Sequence, residues 1–380
     1  MDYHILLTGA TGLLGRYLLR DLLLADVDVA VLVRPSRRQS AEERVEALMG
    51  TWDQQVGRGL RRPIVLSGNI CEQNLGMDDS STTWVKEHCD TILHNAASLT
   101  FLGTDVEGEP WESNVRGTQN VLDLCEQCEI QDVHQVSTAY VCGLRQDRIL
   151  ESELEVGQEV SNDYERSKIE AENLVRSADF LSPPTVYRPS IIVGDSQTGF
   201  TTTFHGFYAM LRIAQTLVSS VELDETGFRN AGARLTLDGT ESKNFVPVDW
   251  VSAVIAHIVT SPEHHGLTYH LTSNRPVTVH LVKDVLEESN NFHGTEFYGS
   301  GVELDNPSDL EQLFYDHIRV YNAYWRDDPK FDRVNTLNAA PHLPCPKIDR
   351  EMLLQLARTA IDMNFRWKDR PVVQPSELHS

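Results

Sequence analysis

The stretch Tyr3-His-Ile-Leu-Leu-Thr-Gly-Ala-Thr-Gly-Leu-Leu-Gly15 decides the fold of this chain. Its apolar start, Tyr3–Leu7, predicts a buried strand, and the leucine stripe of Leu13–Leu24 predicts a helix directly after it. The glycines between them are spaced three residues apart. A turn of this kind can receive the pyrophosphate of a dinucleotide, because the positive end of the helix dipole faces the phosphates.

The three glycines have separate expected roles. Gly9 permits the tight turn, Gly12 lets backbone amides approach the pyrophosphate, and Gly15 allows the helix to pack closely on the strand. A glycine-rich turn that binds nothing is the alternative, and the strand-turn-helix context disfavours it. The predicted cofactor contacts in this stretch are Thr8, Gly9, Thr11, Gly12, Leu13, Leu14 and Gly15.

Strands and helices alternate through the first half of the chain. Further strands are predicted at Val27–Val33, Pro63–Ser67, Thr91–Asn95, Val133–Ser137 and Thr185–Tyr187. Helices are predicted at Ala41–Met49, from Asn114 to about Cys125 and from Tyr164 to about Ser177. Because this alternation implies right-handed βαβ units, the predicted fold class is α/β, a doubly wound parallel Rossmann sheet with helices on both faces.

A change of pattern after Gly194 predicts a second unit. Helical runs follow at Phe204–Val221 and Asp249–Val259, and Leu267–Leu271 looks like a late strand that returns to the sheet. We therefore expect a smaller, mainly helical substrate domain beside the dinucleotide-binding core. The expected bounds are 1–195 and about 244–275 for the core, about 196–243 and 276–370 for the substrate-binding region, and 371–380 for a tail.

Composition limits the classes of partner and compartment. The 380 residues carry a formal net charge of −23, which disfavours nucleic acid and anionic membranes. The sequence shows no signal peptide and no apolar window that predicts a membrane span, so we expect a cytoplasmic protein. Cys125 and Cys128 form a CxxC pair without a second pair at zinc-site spacing, so we expect reduced thiols and no metal site.

Arginines at the end of the second predicted strand indicate which dinucleotide binds. An NAD site usually has an Asp or Glu about 20 residues after the glycine turn, for the ribose 2′-hydroxyl. Here that region carries Arg34, Arg37 and Arg38, and no carboxylate occurs before Glu42. Three arginines in an acidic protein favour the 2′-phosphate of NADPH, with Arg44 as a further candidate, over a solvated basic loop.

The ends of the third and fourth predicted strands supply the next cofactor contacts. Asn69 and Ile70 follow the third strand, where the adenine is expected to lie, and Asn95, Ala96 and Ala97 follow the fourth. Small residues at the fourth strand would let the cofactor pass over the sheet edge. For His94, packing against the next helix is a better interpretation than a ligand role.

A proton relay is predicted from Tyr164 and Lys168, which lie four residues apart on one helix face. A free tyrosine has a pKa of about 10, and a neighbouring ammonium is expected to lower it. Thr138 ends the fifth strand and can polarise a carbonyl, while Asn114 can hold a water that links Lys168 to solvent. These four residues are the predicted catalytic set for hydride transfer to a carbonyl, with Tyr164 as proton donor.

The chain resembles the extended short-chain dehydrogenases/reductases. More narrowly, it is similar to the thioester-reductase and fatty-acyl-CoA-reductase group, the male sterility type of NAD-binding domain. The motifs that carry the resemblance are Thr8–Gly15, Val136-Ser-Thr-Ala-Tyr-Val-Cys-Gly143, Tyr164–Lys168, Tyr187-Arg-Pro-Ser-Ile-Ile-Val-Gly-Asp-Ser-Gln-Thr-Gly199 and Asn244-Phe-Val-Pro-Val-Asp-Trp250. They cover residues 1 to about 275, and the last hundred residues match less clearly.

The resemblance implies roles for individual residues. Thr138 matches the family's catalytic hydroxyl because it stands five residues before Gly143, and Asn69 departs from an aspartate that is common against the adenine. Adenylation and carrier domains are not seen, which implies a reductase that stands alone and takes its thioester from a separate carrier protein or coenzyme A. The family's stretch beside the nicotinamide corresponds here to Arg188, Pro189, Ser190 and Ile191. Its 2′-phosphate arginines correspond to Arg34 and Arg44.

The resemblance implies NADPH-dependent reduction of an acyl thioester to an aldehyde, and reduction onward to the alcohol stays open. Phe207, Tyr208 and Leu211 are candidates for an acyl channel, with plain core packing as the alternative. A hydroxysteroid, 3-hydroxyacyl or nucleotide-sugar dehydrogenase or epimerase of the same superfamily is the second hypothesis. A non-catalytic NADPH-binding regulator is the third, and the presence of both Tyr164 and Lys168 disfavours it.

Overall fold

Seven parallel strands form the central sheet of the computed structural model, which describes residues 4–103, 105, 107–318, 326–367 and 369. Their order across the sheet is β3-β2-β1-β4-β5-β6-β7, the doubly wound order extended by one strand. The predicted Rossmann sheet is therefore confirmed. The strands are β1 His4–Thr8, β2 Val29–Val33, β3 Ile64–Ser67, β4 Cys89–His94, β5 Asp132–Val136, β6 Thr185–Pro189 and β7 Thr268–Leu271.

Helices cover both faces of this sheet and build a second lobe. Helices α1, α2 and α7 pack on one face, and α3, α4 and α5 pack on the other. A π-helical turn, Glu112–Arg116, leads directly into α4. The helices are α1 Leu13–Leu24, α2 Ala41–Val56, α3 Asp79–His88, α4 Gly117–Cys128, α5 Asp163–Ser177, α6 Phe207–Val218, α7 Val248–Val259, α8 Val279–Ser289, α9 Asp309–Ile318, α10 Val334–Ala339 and α11 Arg350–Asp362.

The core explains why β1 and its neighbours are apolar without alternation. Ile5 and Leu7 face the layer that contains α1 and α7, whereas Leu6 faces the layer that contains α4. A strand that is buried on both faces needs apolar residues at every position. Because the seven strands are parallel, their carboxyl ends lie at the same edge of the sheet, and the residues that follow them in sequence meet there.

A buried ion pair fixes the helix that carries the predicted proton relay. The Nη2 atom of Arg188 on β6 lies 2.5 Å from Oε1 of Glu172 on α5, and both side chains have an exposed fraction of 0%. Arg188 also donates to the carbonyl of Glu153 at 2.6 Å. Because an unpaired charge in such a place is costly, the pair holds α5 against β6 in one orientation.

The second lobe packs around its own apolar cluster. Phe207, Tyr208 and Leu211 from α6 meet Val282 from α8 and Leu353 from α11 in this cluster. The lobe joins the sheet through a short parallel pair, Ile191–Val193 with Phe245–Pro247. Further short pairs join Arg148–Ile149 to Lys330–Phe331, Arg229–Asn230 to Phe292–His293, Arg234–Leu235 to Glu296–Phe297 and Ser242–Lys243 to Val277–Thr278.

Some element bounds differ from those predicted. Helix α3 was not predicted, and α6 begins at Phe207 instead of Phe204 because Gly206 adopts a positive φ of 53° that no α-helix contains. No helix in the described part of the chain has the length and apolar character needed to cross a membrane. Tyr3 and the predicted tail, 371–380, lie outside the described residues.

Candidate active site

A cavity of about 630 Å³ lies at the carboxyl ends of the strands and continues into the second lobe. Clefts of this size at this edge of a parallel sheet commonly hold ligands. Of the residues predicted for catalysis or cofactor binding, Thr8, Gly15, Asn114 and Arg188 do not line the cavity, and neither do Arg37 and Arg38. The predicted residues that do line it are Gly9, Thr11, Gly12, Leu13, Leu14, Arg34, Arg44, Asn69, Ile70, Asn95, Ala96, Ala97, Thr138, Tyr164, Lys168, Pro189, Ser190 and Ile191.

Two glycines of the turn are required by close backbone contact. A Cβ atom at Gly9, where φ is +72°, would lie 2.8 Å from the Ala96 backbone. A Cβ atom at Gly15 would lie 2.0 Å from the carbonyl oxygen of Gly9. Gly15 therefore does not line the cavity; its lack of a side chain lets α1 pack closely against the turn.

Thr8 also acts from behind the wall. Its hydroxyl oxygen accepts hydrogen bonds from the backbone N–H groups of Asn95 and Ala96, both at 3.1 Å, and lies 2.9 Å from Nδ1 of His94. The Nε2 atom of His94 lies 3.2 Å from the Thr118 hydroxyl on α4, and burial lowers the pKa of His94 to about 3. Thr8 and His94 thus form a neutral link that shapes the cofactor side of the cavity.

The start of α1 is suited to a phosphate. Gly12 is the N-cap and provides no side-chain hydrogen bond to the first turn, where Leu13 and Leu14 line the cavity. The first amides of a helix lack partners within the helix, so they are available to an anion. This chain therefore presents, at the glycine turn, the donors that a dinucleotide pyrophosphate needs.

The arginines separate into two groups. Arg34 and Arg44 line the cavity, whereas Arg37 and Arg38 lie exposed outside it. Nη2 of Arg44 donates to the Thr11 hydroxyl at 3.1 Å, and its Nη1 donates to the carbonyl oxygen of Arg34. Burial, together with the charge of Arg34, lowers the pKa of Arg44. Two cations thus lie close together at one end of the cavity, and a bound anion would offset the repulsion between them.

At the expected adenine end, Asn69 is held by its own loop. Its Oδ1 accepts a hydrogen bond from the backbone N–H of Cys71 at 3.2 Å, and its Nδ2 donates to Glu72 at 3.0 Å. Gly68, which precedes Asn69 in the stretch expected beside the adenine, also lines the cavity, and a Cβ atom there would lie 2.4 Å from the Leu75 carbonyl oxygen.

Thr138, Tyr164 and Lys168 meet at the middle of the cavity. The Thr138 hydroxyl accepts a hydrogen bond from the Tyr140 backbone N–H at 3.3 Å, which places it at the start of a short turn after β5. The buried Lys168 ammonium donates to the Val136 carbonyl oxygen at 2.8 Å. These contacts fix Thr138 just after β5 and Lys168 on α5, and Tyr164 lies one turn before Lys168 on the same helix.

The pKa values of this group differ from the expectation. Burial raises the pKa of Tyr164 to about 12, although a hydrogen bond with the Thr138 side chain opposes the rise. Burial lowers the pKa of Lys168 to about 8, and Glu172 opposes that change. The expected lowering of the Tyr164 pKa by Lys168 is not seen, and the Lys168 ammonium donates to the Val136 carbonyl oxygen. Tyr164 is therefore a protonated donor at neutral pH.

Asn114 is engaged elsewhere. Its Nδ2 donates to the carbonyl oxygen of Ser98 at 3.1 Å and to the Ser167 hydroxyl at 2.9 Å, and its Oδ1 accepts from the Ser98 backbone N–H at 2.8 Å. The structure therefore does not bring Asn114 into the cavity with Lys168. Its role in holding a water remains a prediction.

Beyond β6, the cavity wall is polar and then becomes apolar. The Ser190 hydroxyl donates to Oδ1 of Asn244 at 2.8 Å, which ties the stretch after β6 to the second lobe.

Ser137, next to Thr138 after β5, was not predicted as a site residue. Its buried hydroxyl lines the cavity and has no hydrogen-bond partner among the described residues. Neither its position before Thr138 nor its residue type distinguishes it in the sequence.

An apolar chamber forms the second half of the cavity. One wall is a face of α6, and the opposite wall comes from α8 and the short strands. We define the apolar chamber by Phe207, Met210, Ala214, Leu217, Val218, Val279, Val282, Leu286 and Phe292. Of the three acyl-channel candidates, only Phe207 lines the cavity. For Tyr208 and Leu211 the alternative of core packing holds, and the Tyr208 hydroxyl accepts from the Gly194 backbone N–H at 2.9 Å.

The fold and the site together define a class of protein. A doubly wound sheet with a glycine turn, and a Thr-Tyr-Lys group beside it, is the arrangement of the extended short-chain dehydrogenases/reductases, so this chain is an NAD(P)-dependent oxidoreductase. The family model described as male sterility protein matches residues 7–255, and the chain belongs to that family.

Curated relatives agree with this assignment. The chain is 28% identical, over 72% of its length, to a nonribosomal peptide synthetase of Aspergillus flavus, of which it covers 26%. It is 30% identical, over 40% of its length, to the chloroplastic fatty acyl-CoA reductase 2 of Arabidopsis thaliana, of which it covers 27%. The chain thus spans about a quarter of the length of each of these two relatives.

Solved structures share the whole architecture. The terminal R domain from the myxalamid PKS-NRPS biosynthetic pathway has a TM-score of 0.75 and 25% identity, with 97% of this chain and 92% of that one covered. The UDP-glucose 4-epimerase of Bifidobacterium longum, in complex with NAD⁺ and UDP, has a TM-score of 0.62 and 16% identity, with 95% and 99% covered. The second likeness shows the fold alone.

Lys168 gives a testable pH dependence. Because the pKa of Lys168 is about 8, we expect kcat/KM for the reduced cofactor to fall as pH rises through this value and the ammonium loses its proton. The arginine in Lys168→Arg stays charged over the whole pH range. We therefore expect kcat/KM of this variant to be lower than that of the wild type and to stay level between about pH 7 and 10. Steady-state rates over this range check both profiles, and a level wild-type profile would contradict the expectation.

Proposed function

We propose that the chain reduces an acyl thioester to an aldehyde with NADPH as hydride donor. The observation that carries this proposal is one continuous cavity, which leads from Arg34 and Arg44 past Tyr164 into the apolar chamber. The first part suits a phosphorylated dinucleotide and the last part suits an acyl chain. When bound, the reduced nicotinamide supplies the hydride that the reaction requires.

The residues beside the reacting carbon would manage the oxygen and its proton. Thr138 and Tyr164 both present hydroxyl groups to the middle of the cavity, where the carbonyl oxygen of the thioester would lie. Negative charge develops on that oxygen as the carbon accepts hydride, and two donors stabilise it. Tyr164, with a pKa of about 12, is protonated at neutral pH and suits a proton donor better than a base.

Loss of the thiol completes a two-electron reduction. The tetrahedral hemithioacetal collapses as its C–S bond breaks, which gives the aldehyde and releases the thiol. While Lys168 is protonated, its ammonium would keep a positive charge close to the developing oxyanion. Reduction of the aldehyde onward to the alcohol would need a second hydride and the same two hydroxyl groups.

The apolar chamber favours an acyl chain over a nucleotide sugar. Phe207, Met210 and Val282 offer no hydrogen bonds to a sugar or to a uridine diphosphate. A polar ligand in such a place would lose its water without compensation. The cavity lining also includes Lys243 and Lys283, which are paired with acidic side chains. The mainly apolar lining therefore suits an acyl chain better than a nucleotide sugar.

The thiol donor is proposed from the relatives. One solved structure with the same fold is a thiolation-reductase di-domain from an archaeal nonribosomal peptide synthetase, with a TM-score of 0.72, 20% identity, and 96% of this chain and 76% of that one covered. A thioester delivered by a carrier protein, or by coenzyme A, would enter with its acyl chain first. The acidic surface, with a net charge of −23, leaves Arg34 and Arg44 to draw in the anionic cofactor.

The proposed reaction predicts a strict need for the Tyr164 hydroxyl. We expect thioester-dependent oxidation of NADPH, followed at 340 nm with a panel of acyl-CoA and acyl-carrier thioesters, to fall by about 10²–10⁴-fold in Tyr164→Phe. Tyr208→Phe, a core variant outside the cavity, is the matched control and should retain turnover. Activity on keto-steroids or free carbonyls alone would support the dehydrogenase alternative instead.

The two arginine groups predict the cofactor preference. Arg34→Ala or Arg44→Ala should raise the KM for NADPH by roughly 10- to 100-fold, the loss expected for one or two charge-assisted hydrogen bonds, and leave the KM for NADH unchanged. Arg37→Ala and Arg38→Ala remove the same charge outside the cavity, so they serve as controls. Equal effects of all four variants, or NADH preference in the wild type, would contradict a 2′-phosphate site.

A further inference from the structure

A second cluster of chemistry-bearing residues lies at the amino end of β5, away from the cavity. Asp132 and His134 belong to β5, and His265 follows α7 on the way to β7. The Oδ2 atom of Asp132 lies 3.4 Å from Nε2 of His134 and 3.2 Å from Nδ1 of His265. One atom from each residue, one oxygen and two nitrogens, lies within 4.8 Å of the others.

The outer atoms of both imidazoles are already engaged. Nε2 of His265 lies 3.2 Å from the carbonyl oxygens of Ile258 and Val259, so this nitrogen carries a proton. A metal ion at Nδ1 would displace the proton that Nδ1 shares with the Asp132 carboxylate, 3.2 Å away. Nδ1 of His134 lies 2.8 Å from the Tyr187 hydroxyl. Metal-binding histidines are commonly oriented in this way, by a hydrogen bond at the nitrogen opposite the metal.

The inner atom of His134 lacks a hydrogen-bond partner. Its side chain is fully buried, and Nε2 makes no hydrogen bond with any described residue, although it faces the carboxylate of Asp132. A buried polar atom left without a hydrogen bond is costly. The Asp132 carboxylate already accepts a hydrogen bond from the Thr91 hydroxyl at 3.3 Å, so a cation between the three residues would chiefly satisfy Nε2 of His134.

The distances fit a small tetrahedral metal ion. Zinc binds nitrogen and oxygen ligands at about 2.0–2.1 Å, so two ligands of a tetrahedron lie roughly 3.3 Å apart. The two distances from Asp132 Oδ2, 3.4 and 3.2 Å, are close to this value. We propose that Asp132, His134 and His265 bind one Zn²⁺ ion, with water as the fourth ligand.

The proposed site would be structural. Thr138 stands six residues after Asp132, just past the end of β5, which places the two at most roughly 20 Å apart at about 3.3 Å per residue. An ion at this place would tie β5 to the segment that leads into β7, the edge strand of the sheet. The ion would thus stabilise the sheet without contact with the reacting groups.

Zinc binding to the full chain tests this inference. We expect one Zn²⁺ per chain by calorimetry, a higher Tm with Zn²⁺ than with chelator, and binding at least about tenfold weaker in His265→Ala. Tyr187→Phe keeps the ring and removes the hydroxyl that orients His134, so it should also weaken binding by about 10- to 100-fold. His280→Ala, which removes another histidine that faces a carboxylate, is the control and should bind Zn²⁺ like the wild type.

The outcomes separate this site from any cysteine site. X-ray absorption of the zinc complex should show only nitrogen and oxygen ligands, and saturation with Zn²⁺ should leave kcat unchanged. Absence of saturable binding, sulfur in the first shell, or equal affinity in the wild type and His265→Ala would each overturn the proposal. Tyr187→Phe keeps the test valid if His265→Ala folds poorly.

Discussion

The backbone of the glycine turn lies against the end of β4 with no space for a side chain, and the cofactor half of the cavity depends on this contact. Gly9 meets Ala96, and Gly15 meets the Gly9 carbonyl oxygen, at distances that exclude a Cβ atom. The Thr8 hydroxyl holds the β4 end in the same place from behind. As a result, α1 points its free amides at the cavity, and the arginines after β2 stand beside them.

The catalytic centre depends on a second constraint, the burial of charge. Lys168 on α5 is buried beside β5 and donates to a strand carbonyl, while the Arg188–Glu172 pair ties the same helix to β6. This burial lowers the pKa of Lys168 to about 8 and raises that of Tyr164 to about 12, so the two pKa values move apart and the phenolate form of Tyr164 is disfavoured. A tyrosine that keeps its proton is suited to reduction, in which the substrate oxygen must gain one.

Much of this arrangement could be predicted from the sequence, because its determinants are local. A glycine turn between a strand and a helix, and a Tyr164–Lys168 spacing of one helical turn, carry their geometry with them. Among the three arginines at the end of β2, Arg34 is the strongest candidate from the sequence, and the resemblance matches it and not Arg37 or Arg38. Only the packing of the loop directs one of them into the cavity.

Residues that depend on tertiary contacts could not be found in this way. Helix α6 is apolar on two faces, so the pattern alone does not show that Met210 and Ala214 face the cavity while Leu211 faces the core. Asn114 is conspicuous in sequence, yet its amide is satisfied by Ser98 and Ser167. His265 lies far along the chain from Asp132, and the two meet only because β6 and β7 join the sheet beside β5.

If the apolar chamber beyond Tyr164 holds the acyl chain, kcat/KM for saturated acyl thioesters depends on their chain length, and we would measure this dependence first. Ala214→Phe fills the apolar chamber, so kcat/KM for long-chain thioesters should fall at least about tenfold, while kcat/KM for short-chain thioesters should stay close to the wild-type value. Thr216→Phe adds the same ring on the exposed face of α6 and should leave the profile unchanged. The same profile in Ala214→Phe as in the wild type would contradict the claim.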